Sequence, residues 1–487
     1  MSSIIKASFW LTLSELAFNL SGYITHSFLG RFLGPAEYGR YSLVITFSTM
    51  VVVLVGRGVP VAMSKYLSEV RKNPPLIKKI KFEAAKTQAL IIAPLTLVYF
   101  LAAPFFSRAL NDSSLTSLFR VSSLVIPAFA LASFYFYYYT GIHAFTKQAF
   151  LKFNRAFAKL FFILSLGYLF GTMGALIGHA IAPFTVFLDA YFIDPFRKIK
   201  KVNQEIVQKF NFSKKKLLQF AWPIIVFMIF YEVMVSVDLY LVKAILKDDR
   251  LAGLYSAALT VGRIPFYAFY FLTIILLPKI SETTSQKMDQ ETQRILKTAM
   301  RFLMMLLWPA VALLAAFAPS AVRFFYGARY SEAGTALSIL SLGMGFLTIF
   351  YILAFVLNGA GKNKIPMKIT MGGAVLNASL GYLLISHLGI LGAAWATTLT
   401  AFIAMLLSLI VANKKIVPFW EPTSYLKFLL FSTAVFWLAS NFFPQGRFVF
   451  ILWSSLLFLF YLILLFVAKE ISKEDCQFFL ASLKKKK

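Results

Sequence analysis

Two arginines stand where charge is costly. Arg57 and Arg263 fall inside long apolar stretches of the chain, and a cation at the bilayer centre costs about 2.5–3.5 kcal/mol even on a lenient insertion scale, so such residues usually face protein or a water-filled space. A desolvated guanidinium holds phosphate oxygens well, because its planar fork of N–H donors matches them in pairs. Arg263 lies nearer the middle of its stretch; Arg57 is about two turns from an end, where snorkelling to the surface is the plainer reading. Acidic groups share this setting. Glu15 and Asn19 are four apart on one helical face, and Glu232 and Ser236 repeat that spacing. An intramembrane carboxylate either binds Na⁺ or carries a proton, or else stays protonated and hydrogen-bonds between helices.

The elements that must position these groups are membrane helices. A chain that is 59% hydrophobic and only 14% charged is outside the range of soluble domains. Polar punctuation leaves fourteen stretches long enough to span ~30 Å of hydrocarbon: 8–28, 41–63, 85–106, 118–141, 157–172, 174–194, 217–242, 252–277, 299–318, 335–358, 368–386, 391–412, 426–443 and 448–468. The first runs too long for a signal peptide and is expected to remain as a helix. The single cysteine, Cys476, allows neither an intramolecular disulfide nor a zinc site. Of the 49 basic residues, 37 fall on one side of the spans and 10 on the other, which predicts cytoplasmic N- and C-termini. The net charge of +29 then reads as attraction to anionic membrane lipids, with no nucleic-acid fold to support the other use of a basic chain.

The chain is built twice. SLGYL occurs at Ser165–Leu169 and again, 214 residues later, at Ser379–Leu383. At the same offset Gly39, Tyr41 and Ser42 of GRYS reappear as Gly253, Tyr255 and Ser256 of GLYS, and Lys65 reappears as Lys279. Gly174-Ala175 pairs with Gly392-Ala393 at an offset of 218. Six spans make one copy, and because six is even the copies are parallel, an arrangement used by transporters that rock two lobes about a central site. The expected organisation is an N-terminal six-helix lobe over 1–195, a basic cytoplasmic linker over 196–216, a C-terminal six-helix lobe over 217–412, and helices 13 and 14 with a basic tail over 413–487.

Three segments carry a family resemblance: LGRFLGPAEYGRYS at Leu29–Ser42, GLYSAA followed by LLPKIS ending at Ser281, and LNASLGYLLISHLGILGAA at Leu376–Ala394. In this order the chain resembles the Wzx-type polysaccharide-biosynthesis flippases of the multidrug/oligosaccharidyl-lipid/polysaccharide exporter superfamily. The resemblance implies an all-α, V-shaped membrane transporter that moves a lipid-linked oligosaccharide, on a polyprenyl phosphate or pyrophosphate, from the cytoplasmic to the outer leaflet of the plasma membrane. It implies translocation and no enzymatic step. Related lipid II flippases carry arginines in the first span where this chain has Asn19 and Thr25, which points away from a peptidoglycan precursor.

On that reading Arg57 and Arg263, on equivalent helices, would hold one phosphate group, and Lys65 and Lys279 at the ends of those helices would attract it; ordinary positive-inside placement is the alternative for the lysines. For cation coupling, by Na⁺ or H⁺, the candidates are Glu15, Asn19 and Glu232. Related flippases also place a sodium site among the seventh, eleventh and twelfth helices, which implies Asp238, Asn377 and Thr398, although Asp238 is expected near the outer interface and hydrated. The four histidines show no ligand spacing and are expected mostly near interfaces. FYFYYY at Phe134–Tyr139 is expected to be an interfacial aromatic belt, with sugar stacking as the alternative. The Gly-rich stretches at Gly343–Gly345 and Met371–Ala374 are expected to permit close helix packing. No ATP-binding motif occurs, so no cofactor is expected and energy must come from gradients or substrate supply. A glycan polymerase or ligase is the expected partner. A multidrug antiporter of the same superfamily and a non-transporting scaffold for glycan enzymes are the alternatives.

Overall fold

The computed structural model describes residues 2–71, 73–195, 226–442 and 448–470. The basic linker, the charged tail beyond 470 and the side chain of Arg57 lie outside the described residues. All regular structure among the described residues is helical: α1 (Ser2–Glu69), α2 (Pro74–Ala109), α3 (Leu115–Ser122), α4 (Val125–Gly141), α5 (Phe145–Phe192), a run over 226–234, α6 (Val237–Leu246), α7 (Asp249–Gly262), α8 (Ile264–Phe269), α9 (Phe271–Ser285), α10 (Asp289–Ala316), α11 (Ala318–Tyr326), α12 (Ala333–Gly359), α13 (Lys364–Leu388), α14 (Ile390–Lys415), α15 (Pro422–Ser440) and α16 (Val449–Val467). One 3₁₀ turn, Ala328–Tyr330, joins α11 to α12.

Nine of these helices are long and apolar enough to cross a membrane, or ten when the pair Asp249–Phe269 and Phe271–Ser285, bent by 41°, counts as one span. The chain is a multi-pass membrane protein. Two of the nine are double. At ~1.5 Å per residue the 68 residues of α1 would reach about three times the hydrocarbon thickness, and the helix breaks at Gly34, whose φ of 77° only glycine adopts freely. Pro35 follows, its ring pre-set to restart a helix. α5 breaks likewise at Phe170 and Gly171, where φ is 60° at the glycine. The limbs of α1 carry the expected first and second spans, and those of α5 the fifth and sixth.

Three expected spans are redrawn. The fifth begins at Phe145, not at residue 157, because Phe-Thr-Lys-Gln-Ala-Phe starts a helix before the apolar run does. The seventh is interrupted by a turn at Val235–Ser236, so Glu232 and Ser236 do not share one continuous helical face. The eighth is divided among α7, α8 and α9, with Arg263 at the first break and Pro265 opening α8.

The helices pack as two units. Unit 1 comprises Met1–Ser256 with Thr370–Ile390, and unit 2 comprises Ala257–Ile369 with Leu391–Lys487. Packing therefore does not follow the repeat boundary: the opening helices of the second copy belong with unit 1. The aromatic tract lies in the core of unit 1, with Tyr138 and Tyr139 wholly buried and Phe134, Tyr135 and Phe136 nearly so. Their hydroxyls explain why tyrosine is used there. Tyr138 Oη donates to Asp194 (2.7 Å), Tyr139 Oη to the carbonyl of Ala190 (2.8 Å), and Lys81 Nζ donates to Tyr135 Oη (3.1 Å) and pairs with Asp194. The expected lipid-facing belt is thus a hydrogen-bonded core. In unit 2, α12 is buried along most of its length, and the Gly343 backbone lies against Thr398 so closely that a Cβ would come within 3.0 Å of the Thr398 Cα. Gly372 has open space around it and serves no such contact.

Candidate functional site

α5 presents two unlike faces. Phe150, Phe157, Phe161 and Tyr168 recur at helical spacing and are exposed, Phe157 to 77%, as residues facing lipid are. Half a turn away lie Lys152, Arg155 and Lys159. That polar face meets the first limb of α1 in a parallel register. Lys152 is ion-paired with Glu15, the Arg155 guanidinium lies 4.7 Å from the Phe18 ring, and Lys159 Nζ stands 3.3 Å from where a Cβ on Gly22 would be. All three pairings keep one offset, 137 residues.

The three cations are held differently. Lys152 is neutralised by its carboxylate. Arg155 sits among aromatic rings, 4.1 Å from the centroid of Phe129 and 5.6 Å from Phe136, and Lys159 Nζ is 5.4 Å from Phe18. Ring faces attract a cation, by ~2 kcal/mol or more when desolvated, but carry no counter-charge. Among the described residues, no carboxylate comes within ion-pairing distance of Arg155 or Lys159. Both are half-buried. At 1.5 Å per residue they stand ~15 and ~21 Å along the helix from Phe145, on an element long and apolar enough to cross a membrane.

Beyond Lys159 the seam ends in a cluster of two histidines and two tyrosines. Tyr38 Oη and His26 Nδ1 share a hydrogen bond of 3.0 Å, and Tyr41 Oη bonds His179 Nε2. The Tyr38 and Tyr41 rings are buried, with centroids 6.1 Å apart. The second limb of α5 is brought close enough by Gly178, whose Cβ would fall 2.7 Å from the Ile163 Cα. His26 and His179 are thus each held by a phenol, and the two pairs lie side by side. The repeat equivalent of Tyr41, Tyr255, is buried in the same way, and its hydroxyl donates to Asp238 at 2.6 Å.

The sequence-derived candidates fall in several places. Asp238 is fully buried, not hydrated: its carboxylate accepts from Tyr255 Oη and from the backbone N–H of Leu239 at 2.8 Å. Asn377 lies beside it at the α6 break, its amide donating to the Met234 carbonyl at 2.7 Å. Thr398 belongs to unit 2, donating to the Ile339 carbonyl at 3.1 Å. Glu15 is brought to the cationic seam, and Asn19, one turn on, is half-buried. Glu232 is half-buried on the run over 226–234. Lys65 and Lys279 are exposed, Lys65 Nζ 5.9 Å from the Tyr66 ring and Lys279 3.4 Å from Glu282. Arg263 is half-buried in unit 2, whereas Arg57, outside the described side chains, is on α1 in unit 1. Arg155 and Lys159 were hidden among the cytoplasmic basic residues. The signal that exposes them is the helical wheel of 150–168, which sets the cations opposite a lipid-facing aromatic stripe.

Comparison with known proteins agrees with this architecture. Residues 4–284 match the family described as polysaccharide biosynthesis protein, and residues 223–383 match the MatE family. Stage V sporulation protein B of Bacillus subtilis is 22% identical over 85% of this chain and 84% of its own. The membrane protein MJ1375 of Methanocaldococcus jannaschii is 22% identical over 83% of this chain and 97% of its own. Among solved structures, the lipid II flippase MurJ in an inward closed conformation superposes with a TM-score of 0.72 at 18% identity, covering 95% of this chain and 99% of that one. A point mutant of the Vibrio cholerae MATE transporter VcmN gives 0.59 at 15% identity, covering 85% and 97%. With the first match covering more than half of the sequence, the chain belongs to the polysaccharide biosynthesis protein family.

Proposed function

We propose that this transporter flips a lipid-linked oligosaccharide, carried on a polyprenyl phosphate or pyrophosphate, from the cytoplasmic to the outer leaflet of the plasma membrane by alternating access. The observation that carries the reading is the pair Arg155 and Lys159, two half-buried cations on a helix long and apolar enough to cross a membrane, with no carboxylate within ion-pairing distance among the described residues. Burying charge this way is costly unless something repays it. A phosphate headgroup does so: it cannot cross hydrocarbon unaided, and it would meet two cations flanked by aromatic rings, which suit the sugars that follow.

In this reading Arg57 and Arg263 extend the anion path, and Lys65 and Lys279 gather the headgroup at the cytoplasmic entrance, with both chain termini on that side. Glu15 holds Lys152 at the mouth of the seam, and Asn19 lies on the same limb. Glu232, Asp238, Asn377 and Thr398 are the proposed positions of cation coupling, by Na⁺ or H⁺. Both oxygens of Asp238 already accept hydrogen bonds from the protein, which favours a role in holding the helix break over that of a bare ion ligand. A glycan polymerase or ligase would take the product on the outer face.

The test is flipping of a fluorescent polyprenyl-linked oligosaccharide in proteoliposomes, comparing wild type with Arg155→Gln, Lys159→Gln, Arg57→Ala and Arg263→Ala, each shown to be folded. The expected result is transport by wild type and a loss of tenfold or more in Arg155→Gln and Lys159→Gln. Normal flipping in both of those variants overturns the site, and failure of wild type to move any polyprenyl-linked glycan overturns the function.

A further inference from the structure

We propose, resting on the anion reading above, that Phe18 and Phe129 are positioning residues: they hold the Arg155 guanidinium by its charge and leave its N–H donors for a phosphate group.

Two cations one turn apart on the same face of α5 show what the rings replace. Lys152 is ion-paired with Glu15, and its ammonium is occupied. The Arg155 guanidinium instead lies over the rings of Phe129 and Phe18, 4.1 and 4.7 Å from their centroids, with Phe136 farther off at 5.6 Å. A ring face attracts the charge without engaging the in-plane N–H donors as a carboxylate does. Among the described residues no protein group accepts a hydrogen bond from Arg155. Its donors remain for a ligand. A planar guanidinium can give its faces to rings and its edge to two oxygens at the same time, whereas the three donors of a lysine surround a point charge.

The rings are themselves held. Phe129 belongs to α4, and against its ring lies the backbone of Gly56 in the second limb of α1, where an added Cβ would come within 3.2 Å of Phe129 Cε1. Ser133, one turn further along α4, donates to the Gly56 carbonyl at 2.7 Å and fixes the two helices at that level. Phe18, on the first limb of α1, serves both cations, since Lys159 Nζ is 5.4 Å from the centroid of the same ring. Rings from two helices thus set the direction of Arg155 before an anion arrives. Preorganisation of this kind raises affinity, because less freedom is lost on binding.

The experiment uses the full chain in nanodiscs, with tritiated farnesyl pyrophosphate as the probe and tritiated farnesol as the blank for partition into the bilayer. Phe129 is replaced by mono-, di- and trifluorophenylalanine, which keep the shape of the ring while weakening the negative charge of its face, and separately by leucine in Phe129→Leu. The expected result is a Kd that rises stepwise along the series, about tenfold by the trifluoro ring, with at least as large a rise in Phe129→Leu. In the Arg155→Gln background, where the remaining binding is through Lys159, fluorination at 129 is expected to have no effect. Trifluorophenylalanine at position 18 is expected to weaken binding in both backgrounds. The isosteric series keeps the test open where Phe129→Leu does not fold. A flat series, even with binding lost in Phe129→Leu, means that the rings only fill space and overturns the assignment. A Kd that falls along the series overturns it too, because the ring then competes with the anion for the guanidinium. Equal dependence on fluorination at 129 in Arg155→Gln overturns it as well, since the ring then acts through another group. Undiminished probe binding in Arg155→Gln, or no saturable binding by wild type, overturns the anion reading itself and the clamp with it.

Discussion

Gly39 and Gly253, equivalent positions of the two repeats, pack directly against each other. A Cβ on Gly253 would stand 1.9 Å from the Pro35 carbonyl oxygen, and one on Gly39 would stand 2.1 Å from that of Asp249. The obstructing atoms are backbone and cannot swing aside, so the likeness of GRYS and GLYS records a shared packing need. Gly253→Ala is expected to lower the melting temperature in detergent, by an amount in keeping with overpacking costs of about 1–3 kcal/mol or more. Gly372→Ala is the control, since nothing lies within 4 Å of its added methyl and helix propensity favours alanine. Equal melting temperatures for the two variants would show that the close approach does not constrain the fold.

Gly22→Ala probes the seam differently. The atom in its way is the tip of Lys159, 3.3 Å from the added Cβ, and a flexible ammonium moves where backbone does not. The variant is expected to fold, with a melting temperature close to wild type, while flipping falls several-fold because Lys159 is displaced. A fall in stability without a fall in transport would assign Gly22 to packing alone.

Much of this molecule was legible in its sequence, and the misreadings have one origin. The helical class followed from composition and the family from the resemblance of three segments, which survive without three-dimensional knowledge. The position of α5 did not. Its polar start, Phe-Thr-Lys-Gln-Ala-Phe, reads as loop on a hydropathy scale, which averages the lipid-facing and inward faces of a helix; Arg155 and Lys159 were lost in that average. The aromatic tract failed for the related reason that a Tyr can lie in a membrane core once its hydroxyl has a partner, and the partners, Asp194 and Ala190, are more than fifty residues away. Likewise Tyr41 and His179 meet only because α5 turns back at Gly171.

Lys243 offers a pH test outside the spans. It is almost wholly buried and held by Asp112 at 3.0 Å and Asp249 at 2.5 Å. Burial pushes the Asp112 carboxyl up, but hydrogen bonds from Ser114 and Lys243 and the lysine's charge outweigh it, leaving the group below its ordinary value. A depressed carboxyl stabilises the fold above its unfolded value, ~3.9, and loses that contribution as pH falls through the folded one. Asp112→Asn is therefore expected to melt earlier than wild type at pH 7, and the gap is expected to close below about pH 4. A gap that is constant from pH 7 to pH 3 would mean that the charge of Asp112 contributes nothing.

The buried pair Lys81 and Asp194 separates charge from packing in the core of unit 1. Asp194 is 3% exposed, accepts from Tyr138 at 2.7 Å and pairs with Lys81, whose ammonium also lies 4.4 and 4.5 Å from the rings of Tyr135 and Tyr138. Asp194→Asn keeps the shape but strands the lysine, and breaking a buried pair from one side costs about 3–5 kcal/mol; the partial exposure of Lys81, 19%, places the expected loss toward the lower figure. Tyr138→Phe removes one hydrogen bond to a charged acceptor and is expected to cost less, about 1.5–3 kcal/mol. Lys81→Met in the Asp194→Asn background removes the stranded charge, so the double variant is expected to be more stable than the sum of the single losses predicts. Thermal unfolding of wild type, the three single variants Asp194→Asn, Lys81→Met and Tyr138→Phe, and the double variant, at one pH and one detergent concentration, measures this directly. Strict additivity would mean that the two side chains stabilise the core independently, and that the tyrosine tract owes its burial to ring packing and not to the charge pair beneath it.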